Sequence, residues 1–119
     1  MRVVYHLVPR QTWESSPPGP YHDPSLEREG FLHCSNADQV ERVANLLFSE
    51  IDDLLALCID AGYFGDKLQD ELAAVIGGTN PFEGETFPHL YSALERSAIL
   101  SVVPLTRDEA GRLRFSVPG

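Results

Sequence analysis

The run Leu54-Leu55-Ala56-Leu57-Cys58-Ile59 is unbroken by any polar residue, with Asp52 and Asp53 before it and Asp60 and Gly62 after it. It is too short for a useful helix, and it lacks the alternation of a strand with one wet face. A central strand covered on both faces fits it. The remaining chain therefore has to supply neighbouring strands and a layer on each side.

Several segments qualify. Residues 2–8 alternate and are rich in Val, and residues 30–35, 86–91 and 98–103 also read as strands. Val40, Val43, Ala44, Leu47 and Phe48 fall on one helical stripe, with Ser35 or Asn36 as the cap. Asp38 and Glu41 lie in the first turns of that helix, where its dipole favours acids. Residues 67–75 form a strand or a short helix; periodicity does not decide between them. Residues 15–24 hold four prolines and a glycine and read as a loop long enough to be a lid. Gly77-Gly78-Thr79-Asn80-Pro81 is a turn-rich loop. Thr106-Arg107-Asp108-Glu109 has the spacing of a capping box for one helical turn. Leu113, Phe115 and Val117 then alternate with polar residues as an edge strand. The sum is a single α+β domain, one main amphipathic helix on a mixed sheet.

Charge narrows the partners. A net charge of −9 over 119 residues argues against nucleic acid and anionic membranes, which need basic surfaces. The acids at 50–53, 66–71 and 83–85 read as a solvated surface. No apolar run approaches the ~20 residues that span a bilayer. The first residues are strand-like rather than signal-like, so a cytoplasmic location is expected. Cys34 and Cys58 sit among apolar residues and read as buried free thiols.

Two short motifs have no such bland reading. In Glu29-Gly30-Phe31-Leu32-His33-Cys34-Ser35, His33 and Ser35 share one strand face while Leu32 and Cys34 share the other. In Phe87-Pro88-His89-Leu90-Tyr91 the same rule groups Phe87, His89 and Tyr91. Each motif reads as half of a polar site. His33 and Ser35 suit a ribose or an amide, and Tyr91 suits a flat heterocycle. Glu71 or Glu29 suits developing positive charge near a sugar carbon.

Other chemistries fit less well. No pair of His or Cys has local metal-ligand spacing, which leaves only a constellation of His6, His33 and His89 on neighbouring strands, and no metal site is assigned. His33 and Cys34 face opposite ways, so His33 cannot activate the thiol. A serine-hydrolase elbow and a P-loop are both absent from the sequence.

Trp13, Gly19-Pro20-Tyr21, Ser25-Leu26, the two histidine motifs, Val43-Ala44-Asn45, Leu57-Cys58-Ile59-Asp60 and Glu71 together resemble a small bacterial family of unknown function, DUF952. The similarity runs from about residue 3 to 105. It assigns 1–105 to the family domain and 106–119 to a C-terminal extension of the same domain, and it departs at Ser92, where the family commonly has Gly. This family looks distantly like the ADP-ribosyltransferase fold, which implies a split sheet gripping NAD. The resemblance implies that His33-Cys34-Ser35 stands for that superfamily's His-Gly-Thr or His-Gly-Ser strand, with Cys in place of Gly. It implies His33, His89 and Glu71 as catalytic residues, Glu71 being first choice for the catalytic acid. His33, Ser35, Tyr91, Tyr21 and His6 are the expected ligand contacts, with Tyr21 and His22 closing from the Pro-rich loop. One or two of Arg2, Arg10 and Arg28 would hold a pyrophosphate. The implied activity is an NAD-using transferase or glycohydrolase, with NAD as substrate. A non-catalytic small-metabolite binding module is one alternative. A structural or partner-interaction protein with core histidines is the other.

Overall fold

The computed structural model describes residues 1–73 and 80–118. The apolar run becomes strand β3 (Leu54–Asp60), paired antiparallel with β1 (Val3–Pro9) on one side and β6 (Ile99–Pro104) on the other. Leu55, Leu57 and Ile59 enter one core with Val4, Val8, Leu32 and Leu90. Leu54, Ala56 and Cys58 enter a second with Tyr5, Leu7, Val40, Ala44, Leu105 and Leu113. Both faces are covered, which is why the run never alternates. Each fully buried leucine there contributes about 1.5–3 kcal/mol.

Helix α1 (Arg10–Glu14) follows β1 directly, and α2 spans Pro24–Glu29. Asp23 caps α2, Pro24 occupies its first turn, and Gly30 ends it at φ 85°, a conformation that favours glycine. Strand β2 is short (Leu32–His33), and α3 covers Val40–Leu47. The expected cap moves: Gln39 stands at the N-cap with no side-chain capping bond. Asn36 and Gln39 instead close a turn, Gln39 N–H donating to the Asn36 carbonyl and Asn36 N–H to Gln39 Oε1. Val40 and Ala44 are fully buried, whereas Leu47, expected in the stripe, is exposed.

The segment left open at 67–75 contains strand β4 (Leu68–Leu72). It flanks β5 (Thr86–Leu90), whose other edge takes β2, in a second antiparallel sheet ordered β2-β5-β4. Among the described residues every strand pair is antiparallel, which corrects the mixed sheet. The helix between β2 and β3 joins strands of different sheets, so it creates no parallel neighbours. The expected loop at 77–81 lies outside the described residues except Asn80 and Pro81.

The two sheets meet at one bridge, Tyr5 with Ser35, where Tyr5 N–H donates to the Ser35 carbonyl (2.9 Å) and Ser35 N–H to the Tyr5 carbonyl (2.7 Å). Beyond it β1 and β2 part, and the cleft of the next subsection opens between them.

Two further expectations are corrected. Residues 106–109 form no helical turn: β7 (Thr106–Arg107) pairs with β8 (Leu113–Arg114). Asp108 accepts from the N–H groups of Ala110 and Arg112 and so closes a turn rather than continuing a helix. The edge strand stops at Arg114, after which Phe115 packs edge-on against Tyr5 at 5.2 Å.

The Pro-rich segment is no free lid at its Tyr21 end. Tyr21 is 2% exposed, packs against Trp13 and bridges Leu94 through both backbone groups. Arg96 lies over the Trp13 ring at 4.5 Å and donates to the carbonyls of Pro17 and Gly19 and to the Ser16 hydroxyl. Core burial and this arginine anchor the segment.

Candidate functional site

Period-two alternation puts His33 and His89 on one sheet face, and the β2–β5 register sets them directly opposite each other. Their ring centroids are 5.7 Å apart. Phe31 stacks on His89 at 4.1 Å and meets His33 edge-on at 4.8 Å. Each histidine has its own carboxylate. Gly30 reverses the chain after α2, which brings Glu29 back to His33 Nε2 at 2.5 Å. Glu71, one strand away on β4, accepts from His89 Nδ1 at 2.9 Å and from the Tyr91 hydroxyl at 2.5 Å.

These environments make the two rings unequal. The His89 side chain is 4% exposed, and burial lowers its pKa below the ordinary value, only partly offset by Glu71. At neutral pH His89 is therefore an uncharged ring whose Nδ1–H donates to Glu71, with a lone pair at Nε2. The bonds from Tyr91 and His89 lower the pKa of Glu71, while the same bond to Glu71 raises that of Tyr91. His33 is about ten times more exposed, at 41% of its side chain.

A cleft of about 540 Å³ runs along this face to the free edge of β1, within the usual range for small-molecule sites. His33, His89, Ser35, Glu29, Arg28 and His6 all line it. Tyr21, Glu71 and Tyr91 do not. Tyr21 lies in the core, Glu71 reaches His89 from outside the cleft, and Tyr91 is held outward by Glu71. Of the residues expected at the site, Tyr21, Glu71 and Tyr91 therefore lie outside the cleft lining; Glu71 touches His89, and the carboxylate inside the cleft beside His33 is Glu29.

His6 joins the cleft wall to the fold. Its Nδ1–H donates to the His33 carbonyl at 2.6 Å and its Nε2–H to Asp23 Oδ1 at 3.1 Å. Both ring nitrogens are engaged in these bonds, and neither is left for an ion shared with His33 and His89. Among the described residues no group of three potential metal ligands forms. Asp23 also accepts from the Tyr21 hydroxyl (2.8 Å), Ser25 N–H (3.1 Å) and the Ser25 hydroxyl (2.7 Å). Burial alone would raise the Asp23 pKa, but the bonds from His6 and Ser25 outweigh it and hold the carboxyl well below the usual range.

Arg28 lines the cleft, while Arg2 is paired with Asp70 and Arg10 with Asp53 and Glu14. Asp23 and Ser25 also line it and were not anticipated. Asp23-Pro24 followed by Gly30 is a helix start and stop, and that signal was available to place the α2 residues together.

A family profile described as protein of unknown function (DUF952) matches residues 7–102. The crystal structure of protein CC0527 from Caulobacter crescentus superposes with a TM-score of 0.76 at 24% identity, covering 94% of this chain and 93% of that one. The solution NMR structure of the same protein gives a TM-score of 0.71, covering 94% of this chain and 91% of that one. This likeness concerns the fold. No protein of curated function matches.

Proposed function

The chain belongs to the DUF952 family, and we propose that this member binds NAD or an ADP-ribose-like nucleotide in the His33–His89 cleft and acts there as a transferase or glycohydrolase. The observation that carries the reading is the pair of histidines set across strands in one cleft, each held by its own carboxylate. The similarity of His33-Cys34-Ser35 to the ribose-holding strand of ADP-ribosyltransferases supports it, and the Cys34 side chain lies in the core.

His33 and Ser35 bond the ribose, and Arg28 at the rim meets the pyrophosphate. As the bond from ribose C1 to the nicotinamide nitrogen breaks, its electron pair leaves with neutral nicotinamide. The carboxylate of Glu29 stabilises the cationic sugar carbon left behind. Water, or the hydroxyl of an acceptor, forms the new bond to that carbon and gives its proton to His89 Nε2. Glu71 fixes the tautomer of His89 and so positions this base.

Thermal unfolding with NAD and with ADP-ribose, alongside chromatographic detection of released nicotinamide, tests the proposal. A ligand at one hundred times its Kd stabilises by about 2.7 kcal/mol, which reads as an upward shift of several degrees. His33→Ala should abolish the shift and leave the melting temperature of the free protein within a few degrees. No shift in wild type, with His33→Ala unfolded, returns His33 to a core role.

A further inference from the structure

One face of the β2-β5-β4 sheet carries a row of side chains: His33, then His89, then Glu71 on the outer strand. His89 is enclosed in this row. Phe31 stacks on its ring at 4.1 Å, His33 meets it edge-on at 5.7 Å, and only 4% of its side chain is exposed. Its two nitrogens open onto different surroundings. Nδ1–H donates to Glu71, whose side chain is 41% exposed and lies outside the cleft lining. Nε2 has no hydrogen-bond partner among the described residues and is what the ring offers to the cleft.

This arrangement matters once a ligand fills the cleft. Water is then displaced from Nε2, and a proton accepted there has no way out past the ligand. A backbone carbonyl or a side-chain amide would orient the ring at Nδ1, but neither can take a proton from it. A carboxylate that touches both the ring and the solvent can.

We infer that Glu71 is a proton relay, carrying the proton of the acceptor hydroxyl from His89 to the solvent outside the cleft. The O–H bond of the acceptor breaks and its proton bonds to Nε2. The Nδ1–H bond breaks in turn, that proton passes to Glu71 Oε1, and the carboxyl hands it to water. The ring is left uncharged, with its proton on Nε2. When product leaves, a solvent proton returns through Glu71 to Nδ1 as the Nε2 proton passes to water in the emptied cleft. Burial of His89 favours the uncharged ring and so drives the proton onward. The bonds from Tyr91 and His89 hold the Glu71 pKa low, so the carboxyl keeps the proton only in passing. The inference rests on the proposed function for the proton that has to be carried, while the path itself is measurable without a ligand.

Glu71→Gln separates relay from orientation, because Gln still accepts from Nδ1–H and from the Tyr91 hydroxyl but takes up no proton. NMR at neutral pH on protein with isotope-labelled histidine should find His89 with its proton on Nδ1 in both wild type and variant. Exchange of that proton with water should be slower in the variant by about tenfold or more. Tyr91→Phe keeps the carboxylate and should retain the wild-type rate. Equal exchange in wild type and Glu71→Gln, or equally slow exchange in Tyr91→Phe, would overturn the inference. Loss of the Nδ1 proton from His89 in Glu71→Gln would also overturn it, by reducing Glu71 to an orienting partner. Failure of NAD and ADP-ribose to bind would instead overturn the proposed function, and it would leave the exchange rates as they are.

Discussion

Asp23→Asn removes one negative charge from a node that ties the Pro-rich segment, α2 and β1 together, and its effect can be worked from the contacts. Four donors converge on this carboxylate: His6 Nε2–H, the Tyr21 hydroxyl, Ser25 N–H and the Ser25 hydroxyl. Asn has one acceptor oxygen, so at least two of them face an NH₂ group instead. The Asp23 side chain is 17% exposed and that of His6 5%, so water replaces little of what is lost. Breaking a buried pair from one side costs about 3–5 kcal/mol, and the lost N-cap at Ser25 falls within that range. For a domain of 119 residues the melting temperature should fall by roughly 10–25 °C. Urea unfolding at pH 7 gives the free energy directly. The Asp23 pKa is lower in the folded than in the unfolded chain, so this stabilisation is fully present above about pH 4, the unfolded value. It is lost as pH falls through the folded value. The variant and wild type should therefore converge in acid. A loss under about 1 kcal/mol at pH 7, or a gap that stays constant into acid, would refute the reasoning.

Further predictions concern separate parts of the fold. Glu71→Gln removes what partly holds up the His89 pKa, so the His89 titration followed by NMR should move further down; an upward move would contradict the geometry. Because the His89 pKa is depressed, its neutral form stabilises the fold above about pH 6.5, and stability should fall as pH drops below that value. Arg96→Ala should raise hydrogen exchange at residues 15–19 and cost about 1–2 kcal/mol, leaving the Tyr21–Leu94 bridge protected. Cys34 and Cys58 are buried and free, and burial raises both thiol pKa values, so the native protein should resist thiol reagents that label both in urea. Fast native labelling would show the core to be open.

Strand geometry made part of this protein legible from its residues alone. A run with no alternation needs cover on both faces, and Leu54–Ile59 has it, one face to each core. Alternation likewise placed His33 with Ser35, and His89 with Tyr91, on shared faces, because the period of two is a property of the extended chain. The α2 helix is equally local, with Asp23, Pro24 and Gly30 in place, although Pro17, Pro18 and Pro20 just before it give the same stretch the composition of a loop. The rest belongs to contacts between residues far apart in the chain. That Tyr21 lies in the core depends on Trp13 and Leu94, and that Glu71 stands behind His89 depends on the β4–β5 register. Thr106-Arg107-Asp108-Glu109 carries a helix-capping spacing, yet the pull of β8, held by Asn45 of α3 through both Leu113 backbone groups, makes it a hairpin. Local spacing sets which side chains share a face. Which faces meet, and where two strands part to open the cleft, is decided only when burial of both cores fixes the sheets against each other.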